Sequence, residues 1–295
     1  MATEVRSILA DMRALRRERF EHLARLTPQH LQRMTTWVRV PHEARFLLLH
    51  LTAHEQEHTM HLARLLAAAG YRQSVAQQLL GAAQEQRGEL LGTLVGLSDA
   101  DLELAPPGEW SLCHILSHVV NVEERYLAAI DHAVALADAG QPWSPPPAGT
   151  VPPMETSFPL RSLAELLERL DASRERVIEQ LSGLSDEQLR APTVWAEHNV
   201  DVDFRIRRFT NHEREHTAHI LKWRSQVGRP YSEAQQILAY AWRERGKLEG
   251  LLVGLDDSWL DREINPDMPE MTTRWLLRHI PGSEAYLMGQ IDNAE

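Results

Sequence analysis

The segment His54-Glu55-Gln56-Glu57-His58-Thr59-Met60-His61 returns 158 residues later as His212-Glu213-Arg214-Glu215-His216-Thr217-Ala218-His219. Histidines at i and i+4 place two imidazoles on one face of a helix, with Cβ atoms roughly 5–6 Å apart, a spacing that suits a metal ion. With 15 histidines in 295 residues, about one such pair arises by chance. Two pairs in the same local context are a stronger signal than either alone. A catalytic metal centre usually takes three protein ligands and leaves a position for water or substrate. His118 and His279 are the natural third ligands, because each lies in an apolar helical stretch, Leu116-Ser117-His118-Val119 and Leu277-Arg278-His279-Ile280. A histidine buried there needs a polar partner, and a metal is one.

The remaining histidines and their neighbours carry weaker signals. His61 and His219 continue the stripe, as an extra ligand, a supporting partner or a proton carrier. His50 has Arg208 as its counterpart, and His114 and His198 have no histidine counterpart, so structural or solvated roles are expected for these three. Glu213 and Glu215 are expected on the helix surface. The H-E-x-x-H spelling also belongs to metalloproteases, with Glu55 or Glu213 as general base. That reading is disfavoured, since no substrate-binding sheet and no Gly-rich extension accompany either motif. Cys113 has Arg274 as its counterpart, which excludes a shared thiol mechanism and leaves a small buried hydrophobe.

The elements that must position these residues also repeat. Leu94-Val95-Gly96-Leu97 matches Leu252-Val253-Gly254-Leu255 at the same offset, and beyond residue 102 the register slips to 161, pairing His118 with His279. Each copy has four stretches of helical period. In the first, one is marked by Val5, Ile8, Leu9 and Met12, one lies at about 42–69, one is marked by Leu79, Leu80, Leu90, Leu91 and Leu94, and one runs from Trp110 to about Leu136. In the second, they lie at about 160–183, 200–227, 233–254 and 272–292. No stretch alternates as a β-strand. Gly70 and Gly228 sit where helix C-caps belong, and Ser111, Ser162 and Thr272 where N-caps belong. A Pro-rich segment from Gly140 to Pro159 is a long crossover or linker. Eight amphipathic helices in two sets of four imply an all-α protein built of two four-helix bundles. Periodicity alone leaves two groupings open: each repeat closes on itself, or the middle four helices form one bundle and the terminal pairs the other.

Composition bounds the partners. The net charge of −11 argues against sequence-independent nucleic-acid binding and against an anionic membrane surface. One cysteine precludes an intrachain disulfide and a thiolate-rich zinc site. With no apolar run of membrane-spanning length and a charged amphipathic N-terminus, a cytoplasmic protein is expected.

Taken together, Leu97-Ser98-Asp99-Ala100-Asp101-Leu102, Pro106-Pro107-Gly108-Glu109-Trp110-Ser111, His118 and the later His212-x-x-x-His216 resemble the DinB/YfiT-like superfamily. There, one histidine on the second helix of a four-helix bundle precedes an H-x-x-x-H pair on the fourth. The resemblance implies a contiguous DinB-like bundle over residues 75–228, with His118, His212 and His216 as metal ligands. It implies a second, discontinuous bundle from residues 1–70 plus 229–295, with His54, His58 and His279. Those terminal halves pair within one chain or across a homodimer. Two departures fall on the second bundle: Pro281 is expected to kink or end the helix after His279, and Met271 stands where Trp110 does in the first. The resemblance further implies a divalent metal, zinc, nickel or iron, and chemistry of the thiol-dependent S-transferase, isomerase or hydrolase type. The substrate would be a small molecule and the cosubstrate a low-molecular-weight thiol. The alternative is a non-catalytic metal-binding or stress-related helical scaffold. A closed four-ligand site using His61 or His219 would favour the scaffold, and an open pocket around three histidines would favour catalysis.

Overall fold

Helical periodicity sets the architecture of the computed structural model, which describes residues 4–295. Its long helices are α1 (Glu4–Leu23), α3 (Ala44–Ala68), α4 (Val75–Gly92), α5 (Leu112–Asp138), α6 (Leu163–Leu181), α8 (Val202–Gln226), α9 (Glu233–Leu251) and α10 (Thr273–Asp292). The one-turn helices α2 (Pro28–Leu31) and α7 (Asp186–Leu189) follow α1 and α6. The chain is all-α apart from two small hairpins. No helix among the described residues is long and apolar enough to cross a membrane.

The helix ends have local causes. Ser111, Ser162 and Thr272 accept from the backbone N–H three residues on and cap α5, α6 and α10. Gly70 and Gly228 adopt φ of +92° and +71° just beyond α3 and α8. That left-handed turn lets Tyr71 N–H reach the carbonyl of Leu66, and Arg229 N–H that of Arg224, so the last carbonyls of each helix are satisfied.

Two features depart from the expected pattern. Antiparallel hairpins pair β1 (Met34–Trp37) with β2 (Val40–Glu43), and β3 (Pro192–Trp195) with β4 (His198–Asp201). Their two-residue turns place Val38, Arg39, Ala196 and Glu197 at positive φ, where glycine or asparagine is the usual occupant. The strands are four residues long and lack the turn signature, so no strand is visible in the sequence. Second, α10 continues through Pro281 to Asp292 instead of ending there. The prolyl ring removes one N–H donor, and the Pro281 carbonyl accepts from Arg19 at 2.7 Å.

The chain forms two compact units. Unit 1 comprises the chain through Arg72, Leu91–Gly96 and Tyr231–Glu295. Its helices α1, α3, α9 and α10 enclose a core that includes Leu9, Met12, Leu62, Leu66, Leu248, Leu276 and Ile280. Unit 2 comprises Gln73–Leu90 and Leu97–Pro230. There α4, α5, α6 and α8 bury Leu80, Ile115, Val119, Leu166, Val177, Ile206 and Trp223.

A buried ion cluster ties each four-helix set together, drawing one residue from each helix. In unit 2, Arg87 of α4 donates to Glu213 of α8 and Glu123 of α5, at 2.7 Å each. Arg174 of α6 donates to the same two carboxylates, at 3.0 and 2.6 Å. In unit 1, Arg16 of α1 bonds Glu55 of α3 and Glu284 of α10, and Arg245 of α9 bonds Glu55 at 2.5 Å. All eight groups are buried. Burial works against each charge, but the opposite charges outweigh it: Glu123 and Glu284 are held below the ordinary carboxylate range, Arg87 and Arg16 above the ordinary guanidinium range. Glu213 is therefore an interior residue, not a surface one. Only Glu215 lies on the surface as expected.

Candidate metal centre

The i, i+4 pairs and their third histidines meet in space. In unit 2, α8 presents His212 and His216, and α5 presents His118. His212 Nε2 lies 3.2 Å from His118 Nε2 and 3.1 Å from His216 Nε2. In unit 1, His54 Nε2 lies 3.2 Å from His279 Nε2 and 3.1 Å from His58 Nε2. Within each triad all ligand atoms are within 4.8 Å of one another.

Burial keeps these rings neutral. It lowers the pKa of His118 and His54 to about 4 and of His212 and His216 to about 3. Neighbouring rings contribute to these shifts after burial, and Arg208 contributes to that of His212. His58 and His279 move the same way, again chiefly through burial. A neutral imidazole offers a lone pair, the form that binds a metal. The donor set fits a divalent ion, because nitrogens about 2.0–2.1 Å from a tetrahedral zinc would stand roughly 3.3 Å apart. On the far side of the rings, His216 Nδ1 and His58 Nδ1 are buried without a hydrogen-bond partner.

The depressed pKa values give a signed pH dependence. Unfolded histidines titrate near 6.5, so between there and pH 4 the unfolded chain binds more protons than the folded one. Stability present above pH 6.5 is lost as pH falls. For metal-free protein in chelator, the melting temperature is expected to drop by roughly 5–10 °C between pH 7.5 and pH 5. A melting temperature that held or rose over that range would contradict neutral, buried triads.

Aromatic rings brace both triads. Trp110 stacks on His114 at 4.4 Å and lies against His118 at 4.9 Å between centroids. Met271 takes the place of Trp110 in unit 1, but Trp275 stacks on His279 at 4.6 Å. Trp275 is the counterpart of His114, so the ring approaches from the next helical turn. The sequence comparison, which aligned Trp110 with Met271, did not reveal this exchange.

The other histidines fall outside the triads. His219 sits 5.8 Å from His216 between ring centroids but points to Glu109, which lies 3.7 Å away and also takes Lys222 at 2.5 Å. Neither His219 nor His61 joins the converging donors. His50 packs on Trp37 at 4.3 Å. Cys113 is buried, with its sulfur 3.7 Å from the carbonyl of Pro159 on the crossover. A cavity of about 430 Å³ opens beside His279, lined by Glu270, Thr272, Arg274, Trp275 and Arg278.

Residues 82–220 match the family model of the DinB superfamily, a span containing His118, His212 and His216. No curated protein and no solved structure matches the chain.

Proposed function

Because residues 82–220 match the DinB-superfamily model, we propose that His118, His212 and His216 hold one divalent metal ion for thiol-dependent transfer, isomerisation or hydrolysis of a small molecule. The observation that carries the proposal is the convergence of three neutral Nε2 atoms while His219 is turned toward Glu109, which leaves three ligands rather than four. Three ligands leave a coordination position open, as catalytic centres do. When bound, a divalent ion lowers the pKa of a thiol or water and makes it nucleophilic at neutral pH. The chain's own part is to keep the imidazoles unprotonated by burial, to brace His118 with Trp110, and to hold α5 and α8 in register through the Arg87–Glu123–Arg174–Glu213 cluster.

His54, His58 and His279 are proposed as a second centre of the same kind. On this reading residues 75–228 form one DinB-like domain, and residues 1–70 with 229–295 form another. Zinc, nickel and iron all suit an all-imidazole donor set.

Cobalt substitution tests the proposal. A simple thiol such as 2-mercaptoethanol is expected to add a near-ultraviolet sulfur-to-cobalt charge-transfer band to the cobalt-loaded chain. Cobalt that binds but admits no thiol would contradict the transfer chemistry and favour a metal-stabilised scaffold.

A further inference from the structure

The stripe of α8 that carries His212 and His216 begins earlier, with two cations. Arg205 and Arg208 precede His212 by seven and four residues, so they share its face about 10 and 6 Å along the helix axis. On α5, Arg125 follows His118 by seven residues. His118 meets His212 and His216 while Tyr126 meets Phe209 and Arg205, so the two helices run antiparallel and Arg125 falls on the same side of the triad.

These guanidinium groups are poorly neutralised. Arg205 is half-buried, with its charge 5.8 Å from the Tyr126 ring centroid and its Nε buried without a partner. No carboxylate among the described residues pairs with it. Burial lowers its pKa, and Arg125 adds to the effect. Arg208 stacks over Trp195 at 4.7 Å, reaches Glu215 only at 3.4 Å, and also leaves its Nε unpaired. Arg125 donates to the Pro152 carbonyl of the crossover. By contrast Arg87 and Arg174, more deeply buried in the same unit, each hold two carboxylates. Partly burying a cation without a counter-ion is unfavourable, and an anionic ligand would relieve it.

Unit 1 shows that the fold does not require these charges. The counterparts of Arg205, Arg208 and Arg125 are Leu47, His50 and Tyr286, and Leu47 is fully buried. The same helical framework therefore stands with apolar and aromatic groups at those positions.

We propose that Arg205 and Arg208, with Arg125, form an anion subsite of the His118–His212–His216 centre. It takes the carboxylate or phosphate of a small molecule whose reacting atom lies at the triad, about 10 Å away. The His54–His58–His279 centre has Leu47, His50 and Tyr286 at the matching positions and so lacks this subsite. This rests on the metal-centre reading above, and the test separates the two.

The probes are 6-mercaptohexanoate, 6-mercaptohexyl phosphate and neutral 6-mercaptohexanol, whose chains span roughly that distance. They are titrated onto cobalt-loaded His279→Ala, in which only the unit 2 triad is intact. One or both anionic probes are expected to bind about tenfold or more tighter than the alcohol, and the better one identifies the anion. Arg205→Leu, the residue found in unit 1, is expected to abolish that preference while leaving cobalt content and alcohol binding unchanged. In cobalt-loaded His118→Ala, which keeps only the unit 1 triad, Arg205→Leu is expected to change the affinity for none of the three probes. Bound cobalt with equal affinity for all three probes in His279→Ala would overturn the anion subsite and leave the metal centre standing. No bound cobalt would overturn the metal centre instead. Hexanoate and hexyl phosphate titrated onto the metal-free chain, with Arg205→Leu beside it, would then decide the arginines: binding lost in the variant supports the subsite, and no binding to either chain overturns it.

Discussion

His212→Ala is expected to weaken zinc binding at the unit 2 triad by about a hundredfold or more, while the unit 1 triad keeps its ion. His212 is the central member: its Nε2 is the atom from which both neighbours stand 3.1–3.2 Å away. Removing it leaves His118 and His216 as two ligands from different helices. Loss of a supporting hydrogen bond alone typically costs 10- to 100-fold in metal affinity, and loss of a ligand costs more. The buried ring has no opposite charge to abandon, so the metal-free variant should fold with only a modest cavity penalty. Competition titration of zinc against a chromophoric chelator checks this. Unchanged affinity in the variant would show that the convergent nitrogens do not act as a metal centre.

Arg87→Ala is expected to destabilise the protein by about 3–5 kcal/mol, the usual result of removing one partner from a buried ion cluster. The guanidinium binds Glu213 and Glu123 and also donates to the Leu170 carbonyl, so one substitution breaks links among α4, α5, α6 and α8. Arg174 alone cannot neutralise two buried carboxylates. Arg245→Ala in unit 1 should behave similarly, because Arg245 holds Glu55 under the same burial. Urea denaturation of metal-free protein is the measurement, and a loss below about 1 kcal/mol would mean that water reaches the cluster and screens it.

The candidate centres were legible in the sequence because their chemistry is periodic. Four of the six histidines lie at i, i+4 in a repeated context, and the other two stand in apolar helices where an imidazole is conspicuous. The ion clusters were missed for the opposite reason. Arg16, Arg87, Glu123 and Glu213 read as ordinary charges on amphipathic helices, since burial of a charge leaves no mark on its own residue. A signal was nevertheless present: Arg16, Glu55 and Arg87 recur as Arg174, Glu213 and Arg245 at the histidines' own offset, and Glu123 recurs as Glu284 at the offset of His118 and His279. The same charge held at matching places in both repeats marks these positions out from ordinary surface charges.

The helices followed from apolar spacing and caps such as Ser111 and Thr272. The hairpins did not, because Val38-Arg39 and Ala196-Glu197 carry left-handed turns without the glycine or asparagine that would announce them. The helix does not end at Pro281, although a prolyl ring there removes a helical N–H donor. Arg19 reaches both the Pro281 carbonyl and Glu284 across this turn, tertiary contacts that local propensity does not register.

Each triad is proposed to hold one metal ion. The most direct measurement is elemental analysis of the chain purified without chelator and without nickel affinity resin, supplemented by reconstitution with zinc, nickel or iron. The proposed centres would give about two divalent ions per chain, falling to one in either His118→Ala or His279→Ala. A chain that takes up none, even after reconstitution, would contradict the claim and leave six convergent histidines as a structural feature of the two helical units.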